Sequence, residues 1–103
     1  NNESVEIARS PHGESYLRAR QLGIPYLPQL PLNIPDKVRQ VCSPQLAQQL
    51  HCYPMGRERN ILTVAIADIN KENIIAHLHQ ETGLEIFPVL TTPQALQFAL
   101  DQI

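Results

Sequence analysis

Nine prolines occur among the 103 residues of this chain, against only four glycines. Because a proline has a fixed φ and no backbone N–H, it is excluded from the interior of a helix and from a central strand. Ser43-Pro44 and Thr92-Pro93 match the start of a helix, with a hydroxyl side chain at the N-cap and proline at the first helical position. The prolines therefore predict where helices begin and which strands lie at a sheet edge.

Length and composition narrow the class of protein. A chain of this length with 43% hydrophobic residues and a net charge of -2 fits one soluble domain. No stretch approaches the roughly 20 apolar residues that span a bilayer, and residues 1–4 lack the pattern of a signal peptide. We therefore expect a cytoplasmic protein without membrane insertion. Scattered basic residues and few aromatic residues predict no binding of nucleic acid.

The sequence predicts two regions in the chain. Residues 1–13 are polar and predict a flexible arm or linker, whereas residues 14–103 predict a single domain. This domain is expected to open with a short helix from Glu14 to Leu22, with Leu17 and Leu22 directed inward.

Two connecting segments follow this helix. Gly23 stands where a C-terminal glycine cap belongs. The segment Ile24–Leu32 contains three prolines among apolar residues, so it predicts an extended strap laid across the core. Pro35 then predicts the start of a second short helix that runs to Cys42.

Three segments have the character of strands. Ile61–Ala67 is apolar on both alternating faces, which predicts a central strand covered on both sides. Tyr53–Met55 and Leu84–Leu90 each contain a proline, which indicates edge strands. The polar segment Gly56–Asn60 predicts a hairpin loop between the first edge strand and the central strand.

Two further helices complete the expected fold. A helix over Lys71–Thr82, capped by Asn70 and stopped by Gly83, is long enough to be a crossover between parallel strands. After Pro93, a last helix has an apolar stripe that includes Phe98. The predicted fold class is α/β (α+β): a three-stranded mixed sheet packed by four to five short helices.

The sequence offers no set of residues for catalysis or metal binding. None of the glycines precedes a lysine, which excludes a phosphate-binding loop, and nothing marks a nucleophile with its base. The side chains that could bind zinc are Cys42, His51, Cys52, His77 and His79. They include no C-x-x-C pair, and the last two lie about 200° apart on a helix. We expect no cofactor, no metal and no catalytic residue, with both cysteines packed as small hydrophobic residues.

Ligand-binding candidates lie after the predicted central strand. Asp68 ends that strand, and Asn70 and Lys71 begin the next helix. In sheets with parallel strands this end of a strand, beside helix N–H groups, is the usual ligand position. The alternative is that the Asp68 side chain caps the turn into the helix.

Protein-docking candidates lie at the hairpin. Arg57, Glu58 and Arg59 form a charged tip that suits contact with a partner. The alternative is an ordinary solvated loop.

Five strings of residues occur in a familiar order and resemble the N-terminal domain of type II secretion and type IV pilus assembly ATPases. The resemblance covers about Leu22 to Ile103. The strings are Leu22–Leu27, Ile34-Pro35, Leu46-Ala47 before Tyr53-Pro54-Met55, Leu62–Asp68, and Thr82–Val89. The chain departs from the family at Ile69, where a proline is common after the aspartate, and at Pro28, where aspartate is frequent.

The resemblance implies a non-catalytic regulatory and docking domain of a larger ATPase. Such a domain contacts an inner-membrane protein or the motor domain of its own chain, and ATP hydrolysis belongs to that separate motor domain. The expected location is the cytoplasm, peripheral to the inner membrane.

The resemblance leaves a second function open, the sensing of a nucleotide. One branch of the family binds cyclic di-GMP through a preceding subdomain that starts with R-L-G. Here Arg20-Gln21-Leu22-Gly23 is one residue out of register with that motif. Related domains also occur on membrane glycosyltransferases, so a different host enzyme is an alternative, as is a stand-alone domain with an unrelated role.

Overall fold

The computed structural model of the protein describes residues 11–67 and 71–103. In that part of the chain it confirms the expected fold class, a three-stranded mixed sheet with five helices. The elements in chain order are α1 (Pro11–Leu22), α2 (Asp36–Arg39), α3 (Pro44–Leu50), β1 (Tyr53–Glu58), β2 (Ile61–Ile66), α4 (Lys71–Thr82), β3 (Glu85–Leu90) and α5 (Pro93–Asp101). None of the described helices has the length and apolar character needed to cross a bilayer.

β2 is the central strand, as predicted. It pairs with β1 in the antiparallel sense and with β3 in the parallel sense, and α4 connects the two parallel strands. Leu62, Val64 and Ile66 are at most 1% exposed. Full burial of such side chains stabilises the fold by roughly 1.5–3 kcal/mol each. Both proline-containing strands lie at the edges, where a missing N–H interrupts no central ladder.

The prediction that Gly56–Asn60 forms the hairpin loop is wrong, because the loop in the structure is shorter. β1 continues to Glu58, which pairs with Ile61, so that only Arg59 and Asn60 form the turn. Arg59 has a φ of 56°, in the left-handed region that tight hairpin turns use. Arg57 and Glu58 therefore belong to the end of an edge strand.

Both predicted Ser/Thr-Pro helix starts are confirmed. The Ser43 hydroxyl accepts a hydrogen bond from the Leu46 N–H at 3.1 Å, and the Thr92 hydroxyl accepts one from the Ala95 N–H at 3.0 Å. Each cap satisfies an N–H that has no partner within the helix.

The second helix is shorter than predicted, since α2 ends at Arg39 and the helix does not reach Cys42. The Cys42 N–H still donates to the Val38 carbonyl at 2.9 Å, which closes a turn. Ser43 then has the extended conformation, with a ψ of 156°, that a residue before proline favours. The next helix start therefore limits how far this helix can continue.

The strap is extended across the core, as predicted. The Leu27 N–H donates to the Leu90 carbonyl and the Leu90 N–H donates to the Pro25 carbonyl, both at 2.8 Å. These bonds attach the strap to the end of β3. Further along, the Tyr53 hydroxyl donates to the Pro31 carbonyl at 2.6 Å. The strap is thus held by both edge strands of the sheet.

Helix α1 packs through a different face from the predicted one. Leu22 is 41% exposed and Leu17 is half-buried, whereas Ser15 and Ala19 are buried. Small side chains one turn apart let a helix approach its neighbour closely, and α1 contacts β3. The predicted C-cap is confirmed, because Gly23 has a φ of 71°.

The predicted arm stays a prediction, since residues 1–10 lie outside the described residues. Helix α1 includes Pro11, so it extends further toward the N-terminus than the predicted start at Glu14. A proline is compatible with the first turn of a helix, where its missing N–H is not needed.

Helix α4 has the predicted bounds, Lys71–Thr82, and packs one face inward. Ile74 and Leu78 are buried, and Ile75 is half-buried. Gly83, with a φ of 72°, ends the helix as predicted, and its N–H donates to the His79 carbonyl at 2.8 Å.

Candidate functional site

Both cysteines are buried in the core and neither forms a disulfide. Burial raises the pKa of Cys42 to about 11. Burial, with a further contribution from Cys42, raises the pKa of Cys52 to about 12. Because the thiolate is the nucleophilic form, both thiols are protonated and unreactive at neutral pH. They pack as small hydrophobic residues, as the sequence predicts.

The histidines of the described residues show no arrangement for metal binding, and two of them make local side-chain contacts. His51 ends α3 in the left-handed conformation, with a φ of 56°. His77 Nε2 lies 3.7 Å from the Glu81 carboxylate on the same helix, and His79 Nδ1 lies 2.7 Å from the Leu84 carbonyl oxygen. Across residues 11–67 and 71–103, no three His, Cys, Asp or Glu side chains are grouped so that they could hold a metal ion.

The three docking candidates occupy one hairpin but have different environments. Arg57 Nε donates to the Arg59 carbonyl at 3.1 Å, and its guanidinium also donates to the Lys37 carbonyl at 3.4 Å. Arg57 thus ties the hairpin to α2. Glu58 and Arg59 are exposed, so they are the members of the set that remain available to a partner.

The ligand candidates lie at the other end of β2. Lys71 is the first residue of α4 and is half-buried. Asp68 and Asn70 lie outside the described residues, so their predicted roles as ligand, turn cap and helix cap stay predictions. The hairpin and Lys71 are separated by the length of the central strand and do not form one site.

An apolar groove that sequence reasoning missed lies between the strap and α5. It has a volume of about 450 Å³, and Phe98 and Leu32 beside it are 59% and 46% exposed. The described residues that line it are Pro28, Gln29, Leu30, Leu32, Thr92, Gln94, Ala95, Phe98 and Ala99. Since none of them is charged, the groove suits an apolar contact and offers nothing to balance a phosphate.

The prediction that Phe98 belongs to the inward stripe of α5 is wrong. Leu96, Ala99 and Leu100 are buried. At 100° per residue, Phe98 lies about 200° from Leu96, on the opposite side of the helix. The helical angle, applied residue by residue, would have placed this aromatic side chain on the surface.

A scan against protein families matches the MshEN domain over residues 22–103. A search of the curated proteins finds no sequence that matches the chain.

Solved structures share this fold. The N-terminal domain of XpsE superposes with a TM-score of 0.73 at 23% identity over 90% of the chain, and with 0.67 at 21% identity in its I4122 crystal form. A structure of MshE with cdg superposes with a TM-score of 0.73 at 18% identity, again over 90% of the chain. The chain spans 66% of the XpsE structures and 68% of the MshE structure.

Proposed function

Because the chain belongs to the MshEN domain family, we propose that it is a regulatory and protein-docking domain of a type II secretion or type IV pilus assembly ATPase. In this role it works in the cytoplasm and contacts a protein of the inner membrane. Hydrolysis of ATP belongs to a separate motor domain. The observation that carries the proposal is the family match, which extends from the end of α1 to the last residue of the chain.

The chemistry of the described residues supports a binding role. Burial raises the pKa values of Cys42 and Cys52, so both thiols are protonated at neutral pH. The side chains of His77 and His79 are engaged in local contacts. What the domain presents to its surroundings is instead an exposed charged hairpin and exposed apolar side chains, which are features of contact surfaces.

Docking can be tested with the cytoplasmic part of the cognate inner-membrane protein, immobilised on a resin. Wild-type chain is expected to be retained, and Arg59→Glu is expected to change retention because it reverses an exposed charge of the hairpin. Arg59 is a sharper target than Arg57, because the Arg57 guanidinium holds the hairpin against Lys37.

The matched control is Arg18→Glu, which makes the same change of charge on α1. Retention of this variant should equal that of the wild type. If the wild-type chain is not retained, the docking function is contradicted. If both variants are retained equally, docking does not use the hairpin.

A second candidate function is binding of cyclic di-GMP, supported by the structure of MshE with cdg. The residues proposed for it remain Asp68, Asn70 and Lys71. Calorimetric titration of the chain with cyclic di-GMP and, separately, with ATP tests this function. Heat of binding that Lys71→Ala reduces would support it, whereas a flat trace at high protein concentration would remove it.

A further inference from the structure

One face of the sheet is uncovered at the hairpin end. Paired residues of neighbouring strands point to the same face, so the register assigns six residues to this surface, here named the open sheet end. They form two rows across the three strands, Gly56, Thr63 and Phe87 in one row and Glu58, Ile61 and Glu85 in the other.

The same face is fully covered at its other end. Tyr53, Ala65 and Val89 belong to this face and are at most 6% exposed. The strap contacts this end of the face, because the Tyr53 hydroxyl donates to a strap carbonyl. By contrast, Ile61 is 41% and Phe87 is 48% exposed. The open sheet end is therefore the part of this face where large apolar side chains remain exposed.

A glycine that follows a β-bulge leaves a gap at one edge of this surface, on the outer strand β1. The register of β1 shifts between Pro54 and Gly56, so that Gly56 and not Met55 lies opposite Thr63. A Cβ built on Gly56 would meet no atom within 4 Å, and its φ is outside the positive range. The glycine is thus required neither by the backbone nor by packing inside the domain, and it leaves space for something from outside.

Both charged residues of the open sheet end are negative. Glu58 and Glu85 flank Ile61 in the same row, on the two outer strands, and both are exposed. Two outer strands of a three-stranded sheet are about 10 Å apart, close to the diameter of an α-helix with its side chains. Among the described residues neither carboxylate has a salt-bridge partner.

We propose that the open sheet end binds an amphipathic helix of a protein partner, with an aliphatic stripe flanked by lysine or arginine residues. The stripe packs on Ile61 and Phe87 and fills the gap above Gly56, while the basic side chains reach Glu58 and Glu85. Helix-in-groove contacts combine an apolar stripe with charged flanks in this way. This assignment rests on the proposed docking function and gives it a surface and a partner chemistry.

Charge disfavours the other occupants. In a symmetric contact between two copies, Glu58 and Glu85 of one copy would face the same acidic residues of the other. An anionic lipid surface would be repelled for the same reason. A basic helix is the occupant that neutralises both carboxylates.

A direct test uses two synthetic helical peptides with the same leucine stripe, one flanked by lysines and the other by glutamates. Fluorescence anisotropy should show binding of the lysine peptide alone. Glu58→Lys and Glu85→Lys should each weaken binding about fivefold, and Gly56→Gln, which places a neutral side chain in the gap, should weaken it about tenfold.

The matched control is Glu81→Lys, which makes the same change of charge outside the open sheet end and should bind within about twofold of the wild type. Circular dichroism of each variant should match the wild type, because every substituted position has exposed or open surroundings. Equal binding of both peptides, or a loss with Glu81→Lys as large as with Glu85→Lys, overturns the proposal. The proposal is also overturned if the chain dimerises, or co-sediments with phosphatidylglycerol vesicles, and Gly56→Gln abolishes that interaction.

The immobilised inner-membrane protein separates failure of this proposal from failure of the docking function. If that protein retains wild-type chain but also retains Gly56→Gln and Glu85→Lys equally well, the surface assignment falls and docking stands. If it retains none while the lysine peptide binds as expected, the docking function falls and the open sheet end keeps its assigned chemistry.

Discussion

The hydroxyl of Tyr53 donates a 2.6 Å hydrogen bond to the carbonyl oxygen of Pro31 and so joins the first edge strand to the strap. Tyr53→Phe keeps the ring and removes only this bond, so it should lower the free energy of unfolding by about 1 kcal/mol. Urea unfolding followed by circular dichroism measures the change. Tyr16→Phe, at an exposed ring on α1, is the control and should change stability by less than half as much.

Thr91 and Thr92 are both buried, but the same substitution is expected to change stability differently at the two positions. The Thr92 hydroxyl caps α5, so Thr92→Val should cost about 1–2 kcal/mol. In the described part of the chain the Thr91 hydroxyl has no hydrogen-bond partner, so Thr91→Val should leave stability unchanged or raise it. Thermal unfolding of the two variants side by side tests this, and equal losses would contradict it.

The centre of β2 should be far more sensitive to truncation than its first residue. Val64 is 1% exposed, so Val64→Ala should cost roughly 2 kcal/mol through lost burial and the cavity it leaves. Ile61→Ala removes more atoms, but Ile61 is 41% exposed, and its truncation should cost less than about 1 kcal/mol. Chemical denaturation measures both changes. A lower midpoint for Ile61→Ala than for Val64→Ala would contradict the position of these residues in β2.

Stability should fall at alkaline pH because of the two thiols. Their pKa values are raised in the folded state, from 9.0 to about 11 for Cys42 and to about 12 for Cys52, mainly by burial. Above pH 9 the unfolded chain therefore loses protons that the folded chain keeps, and the free energy of unfolding decreases as pH rises toward 12. Below pH 9 the thiols are protonated in both states and contribute no dependence on pH.

The test is the denaturation midpoint of wild type and of the double variant Cys42→Ala, Cys52→Ala between pH 7 and pH 11. The double variant starts from a lower stability, because it loses buried atoms, but its midpoint should fall less steeply above pH 9. Parallel curves for the two proteins would show that the thiols do not cause the dependence.

Local rules at particular residues predicted much of the fold. Ser43 and Thr92 cap the helices that follow them, Gly23 and Gly83 end helices at positive φ, and Ile61–Ile66 is the central strand. Each of these features depends on the types of a few neighbouring residues, so it can be recognised from the sequence.

Features that depend on the register and on packing could not be read in the same way. The β-bulge places Gly56 opposite Thr63, and no local pattern marks it. Likewise, α1 packs through Ser15 and Ala19 although its leucines are more hydrophobic, because helix packing is decided by the fit to a neighbour. The open sheet end and the apolar groove are both consequences of such tertiary choices.

The strap also sets an order in which the domain can fold. Its bonding partners, Leu90 at the end of β3 and Tyr53 at the start of β1, both follow it in the chain. The hairpin of β1 and β2 is built from neighbouring residues and can form early, whereas the strap must wait until β3 has been synthesised and has joined the sheet. During translation the apolar strap therefore remains without its final contacts until nearly the whole domain has emerged from the ribosome.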